Sequence, residues 1–114
     1  MRGVVVVSNF FTNLFSAKRA AAVAIFPFIF LAKKSYKNNL ILLNHERIHL
    51  SQVLELGVLF FYLWYIIEFF VHYIQCRNFN KAYLRISFER EAYHNESNPH
   101  YLKQRKFYSF LRYY

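Results

Sequence analysis

The sequence predicts a small α+β protein, mostly helical, folded as one domain over residues 1–114. Three observations carry that expectation. Leucine-rich stretches flank a polar cluster between residues 40 and 56, the mark of a largely buried helix. A second run, 56–76, has one charge, Glu68, in 21 residues. The N-terminal third is rich in β-branched and aromatic residues, with Val4-Val5-Val6-Val7 and 24–31 favouring strands. At 114 residues the chain holds one domain at most.

Composition narrows the function classes. The chain is 56% apolar and 22% aromatic, with 14 Phe, 10 Tyr and only 2 Gly, which is far from the soluble average. A net charge of +9 rests on 15 Lys and Arg against 6 acidic residues. A basic, aromatic chain suits an anionic membrane surface or nucleic acid. Here the aromatics lie in long uncharged runs instead of alternating with Arg and Lys. Membrane lipids are therefore the expected partner and nucleic acid is not. One cysteine, Cys76, excludes an internal disulfide framework. Cys76, Ser51 and Ser87 have no spacing that suggests a nucleophile triad.

Taken in order, residues 3–17 carry no charge and precede Lys18-Arg19. A signal peptide would need more than Arg2 ahead of this run and a small-x-small cleavage site after it. The next run, 20–32, is bounded by Lys33-Lys34. Each run is shorter than the ~20 residues of a membrane span, and Pro27 would break a helix. Residues 24–31 are expected as one extended, aromatic strand. Residues 33–39 read as a polar loop, with Asn38 or Asn39 capping the helix that follows.

That helix carries His45-Glu46-Arg47-Ile48-His49. Residues four apart share a helix face, so His45 and His49 project together, one turn apart. Two imidazoles so placed can hold one Zn²⁺ from adjacent corners of a tetrahedron. Glu46 points beside the pair, where it can take a proton from water instead of binding the metal. Gln52 lies one turn past His49 on nearly the same face. It either orients a ligand or lines the mouth of the site. The bland alternative is two core histidines bonded to backbone carbonyls.

Residues 56–76 meet the length threshold for a span. Trp64 is central and the tyrosines are spread, so a partly buried, partly lipid-facing helix fits as well as a full span. Arg77, Lys81 and Arg85 follow at once and would keep that end, and the active site, on the cytoplasmic side. His72 is expected as a core or interfacial residue. One straight helix from 40 to 76 would carry Cys76 ~46 Å from His45, so a break is expected at Gly57. Residues 87–96 read as a helix that ends in the turn cluster Asn95-Glu96-Ser97-Asn98-Pro99. Residues 100–114 read as a basic amphipathic helix.

The His45–His49 motif resembles that of the zincin metallopeptidases. Phe88-Glu89-Arg90-Glu91-Ala92-Tyr93 resembles the third-ligand helix of their gluzincin branch, especially its membrane-linked members. Those carry a Glu ligand, Ala three residues later and Asp four later. Glu89 and Ala92 match, Tyr93 stands in the Asp position, and the chain has no Asp at all. The resemblance implies a minimal zincin core with Zn²⁺ on His45, His49 and Glu89. It implies Glu46 as general base, a peptide or protein substrate, and an edge strand at 24–31 that holds substrate backbone. Residues two apart on a helix are ~200° apart, so Glu89 and Glu91 cannot both face a metal. Glu91 is then expected at the surface, paired with Arg90, Lys103 or Arg105. Tyr93, His94 and His100 are candidate oxyanion donors. The non-enzymatic alternative is a small membrane protein whose metal site is structural or vestigial.

Overall fold

The computed structural model describes residues 3–10, 12 and 22–113. Val4–Val7 (β1), Ala22–Ile25 (β2) and Phe28–Leu31 (β3) form a sheet in the order β1-β3-β2. β2 and β3 are antiparallel, with Ala24 opposite Ile29, and β1 runs parallel to β3, with Val5 opposite Ile29. The single strand expected over 24–31 is thus a hairpin turning at Phe26-Pro27. Proline has no N–H to give to a ladder, and the turn is where it costs nothing. Alternate residues of β3, Ile29 and Leu31, are buried together with Ala22 against Leu43 and Leu50 of the next helix.

A 3₁₀ turn, Lys34–Asn38, leads into that helix, Leu40–Leu56 (α1). The Asn39 side chain accepts the Leu42 N–H, satisfying one of the donors left open at a helix start. α1 ends at Gly57, whose φ of 83° lies in the left-handed region that disfavours any Cβ. Val58–Cys76 (α2) then packs back on α1, so the break expected at Gly57 is present. Arg77, at φ 53°, closes α2 and turns the chain into Phe79–Arg85 (α3), which packs along α2. The Asn78 side chain accepts the Lys81 N–H at its start. Ile86 is extended and separates α3 from Ser87–Asn95 (α4).

The reversals at Gly57 and Arg77 bring α4 against α1. A second core forms there from Val53, Phe61, Ile86, Phe88 and Phe110. Phe88 sits at its centre, with ring centroids 4.6 Å from Phe61 and 4.7 Å from Phe110. The amphipathic helix expected over 100–114 is instead a short turn of helix, Tyr101–Gln104 (α5), an extended Arg105 and a 3₁₀ turn, Ser109–Tyr113. Arg105 pairs with buried Glu91, and Phe110 is itself buried. On one helix positions 105 and 110 lie about 140° apart and could not both point inward.

Candidate metal centre

His45, Glu46 and His49 lie on the buried side of α1, and Glu89 lies in the first turn of α4. Three ligand atoms converge. Glu89 Oε1 is 3.1 Å from His45 Nε2 and 3.0 Å from His49 Nε2, and the two Nε2 atoms are 3.2 Å apart. Bonds of 2.0–2.1 Å to a tetrahedral zinc put neighbouring ligand atoms about 3.3 Å apart. The buried group His45, His49 and Glu89 could therefore hold a metal ion. Glu91 is not part of it.

The outer nitrogens set the tautomers. His45 Nδ1–H donates to Glu96 Oε2 at 2.8 Å. His49 Nδ1–H donates to Gln52 Oε1 at 2.8 Å. Both partners are oxygens that can only accept, because the Gln52 amide nitrogen is spent on Phe88 O and Glu91 Oε1. The hydrogens therefore sit on Nδ1, and in the neutral rings the Nε2 lone pairs face each other and a carboxylate. Such a cluster of acceptors needs a proton or a cation between them. The donor set, two imidazoles and one carboxylate, is one that zinc takes with a position left open.

Several groups that complete the site carry no sequence pattern. Asn44, the residue before His45, donates to the carbonyls of Asn95, Glu96 and Asn98. It thereby holds the turn after α4 so that Glu96 reaches His45. Glu96 supplies the outer carboxylate of His45. The Tyr65 hydroxyl, from α2, donates to Glu89 Oε2 at 2.6 Å. Glu68, also on α2, accepts the Ser87 N–H at 3.0 Å and the Ser87 hydroxyl at 2.5 Å. It caps α4 two residues before Glu89.

Burial and charge act together on the acidic and basic groups. Burial pushes the Glu46 carboxyl up, against the pull of His49 and His45. Among the described residues it has no hydrogen-bonding partner. Burial alone would push His49 down, but the Glu89 carboxylate overrides it and carries His49 up to about 9. Burial would likewise raise Glu89, and the charge and hydrogen bonds of the two histidines hold it well below the usual carboxylate range.

Of the candidate oxyanion donors, Tyr93 lies at the site. Its ring packs edge-on to His45, with centroids 4.4 Å apart, and its hydroxyl is 3.3 Å from that of Tyr83. Burial raises the pKa of both phenols. His94 packs on Tyr113, and His100 is exposed in the turn after α4. His72 is 3.8 Å from Glu68 on α2. Glu91 does pair with Arg105, but at 0% exposure it is not the surface residue expected. A groove of about 490 Å³ lies along α2, lined by Phe60, Leu63, Trp64, Ile67, Glu68, Val71 and His72, and none of these is a ligand atom's residue.

No protein-family model, no curated protein and no solved structure matches this chain. The class of the site rests on its own chemistry: a buried two-histidine, one-carboxylate group with an acidic residue beside it.

Proposed function

We propose that this chain is a zinc-dependent peptidase of the gluzincin type, in which His45, His49 and Glu89 hold the ion. The observation that carries the reading is the convergence of two Nε2 lone pairs on Glu89 Oε1, with both Nδ1 hydrogens already committed elsewhere. Zinc held there supplies a Lewis acid that activates water and polarises a peptide carbonyl. Glu46 takes the proton of the attacking water and returns it to the departing amine. Its raised pKa, a consequence of burial, suits a group that must both accept and release a proton. Tyr93, seated on His45, offers a phenol to the developing oxyanion.

Metal analysis of the purified chain should find about one zinc per chain. Glu46→Gln should keep that zinc and lose about 10²- to 10⁴-fold in hydrolysis of an unfolded-protein substrate. Wild-type turnover by Glu46→Gln would end the base assignment. Zinc bound with no hydrolysis by the wild type would leave a structural metal site.

The same reading places the enzyme at a membrane. Along α2 only Phe61 and Glu68 are buried. Its length and composition would let it cross a bilayer, and 11% of its apolar window is covered by the rest of the chain. Arg77, Lys81 and Arg85 after its end favour the cytoplasmic side. Recovery of a monomer from the aqueous phase without detergent would overturn this part.

A further inference from the structure

Glu91 has no role in the chemistry above, yet its carboxylate is fully enclosed. Four hydrogen bonds converge on it. Arg105 donates through Nε at 2.5 Å and Nη2 at 3.0 Å, the Tyr101 hydroxyl at 2.5 Å, and Gln52 Nε2 at 3.0 Å. Arg105 Nη2 also reaches Glu55 Oε1 at 2.9 Å. The segment after α4 is thus fastened to both α1 and α4 through one guanidinium.

The consequence falls on Gln52. Its amide nitrogen gives one hydrogen to Glu91 and one to Phe88 O, at 3.0 and 3.1 Å. Only its oxygen is left for His49. A flipped amide would set its oxygen against the Glu91 carboxylate and the Phe88 carbonyl, and its nitrogen against His49 Nδ1–H. All three contacts would then be unpaired in a buried place. Glu91 and the Phe88 carbonyl together therefore decide which way Gln52 faces, and Gln52 decides which nitrogen of His49 carries the hydrogen.

We propose that Arg105, Glu91 and Gln52 form a positioning relay that fixes the tautomer of His49, so that the segment after α4 governs metal affinity. The effect on affinity rests on the metal reading of the His45–His49–Glu89 group; the effect on the His49 ring does not. Tyr101 is an auxiliary member, holding the far oxygen of Glu91.

Two readouts on the full chain test this: affinity for zinc alone, and the NMR resonance of His49 Nδ1–H with and without zinc. The wild type should show one exchange-protected Nδ1–H signal. Glu91→Gln weakens the preference to what the Phe88 carbonyl alone supplies, because a glutamine there can present either end of its amide to Gln52. It should split or lose the signal and weaken zinc binding about tenfold. Arg105→Lys should act in the same direction with a smaller effect. Tyr101→Phe, which deletes one hydroxyl, serves if Glu91→Gln does not fold, and should cost two- to threefold in affinity, a direction set by the same outer-shell coupling. Wild-type signal and affinity in folded Glu91→Gln or Tyr101→Phe would overturn the relay. A wild type that takes no zinc but shows the Glu91 dependence of the Nδ1–H signal would uphold the relay and end the metal reading.

Discussion

The layer between α1 and α4 and the outer face of α2 invert the usual distribution of polarity. Gln52 and Glu91 are 0% exposed and Glu89 is 3%, while Leu59 is 75%, Phe60 65% and Ile74 73% exposed. Inside, polar groups close on one another until one set of acceptors is left facing itself. Outside, α2 presents aliphatic and aromatic side chains that the described residues leave largely uncovered. Each departure costs free energy in water. On the function proposed above, a cation would relieve the first and a lipid phase the second, each independently of the other.

That independence is testable, and the histidines give the largest effect. His49→Ala and Glu89→Ala should each take bound zinc from about one equivalent to below about a tenth. Leu63→Ala on the outer face should leave it unchanged. Full zinc occupancy in either inner variant would remove metal binding from the polar layer.

Acidity should separate the regions by about a hundredfold in affinity between pH 6 and 8. Below about 9 His49 keeps a proton that the metal must displace. Zinc affinity should therefore rise about tenfold per pH unit and level off near that value. In the metal-free protein the sign reverses. Stabilisation from the raised His49 pKa is complete below 6.5 and is lost as pH climbs through about 9. Chelator competition and thermal unfolding across this range measure the two slopes, and slopes of the same sign would contradict the picture.

A charge on the outer face acts on the other remedy alone. Ile67→Lys should lower partition onto anionic lipid vesicles about tenfold or more while zinc affinity stays within about twofold. Sedimentation with vesicles reads the first and chelator competition the second; a joint loss would show the regions to be coupled. The smallest effect belongs to Tyr65→Phe, which deletes one hydrogen bond to Glu89 Oε2. It should weaken zinc binding roughly three- to tenfold, with no change in vesicle partition.

Features set by a residue and its near neighbours were legible in the sequence. Asn39 caps α1, Gly57 breaks the long helix, and the His45–His49 pair faces one way because four residues make about one turn. Glu89 meets that pair, as the pattern with Ala92 implies. What was not legible depends on partners distant in sequence. Glu96 serves His45 only because Asn44 gathers three carbonyls of the turn beyond α4. Tyr65 looks like any tyrosine of an apolar helix until the chain doubles back. Glu91 read as a surface charge because the cavity it fills is closed by Arg105 and Tyr101, from a segment whose own periodicity suggested a helix. Nor does any apolar stripe mark the short helix α3. It exists through the Asn78 cap and its packing along α2.

Glu68 gives α2 a mechanical character. Its carboxylate grips the first residue of α4 through two bonds, and Tyr65, one turn earlier, holds the acidic ligand itself. α2 is therefore bolted to α4 at two points, one at the helix start and one at Glu89 itself. The three ligand atoms, about 3 Å apart, are thus braced from α1, α2 and α4 at once.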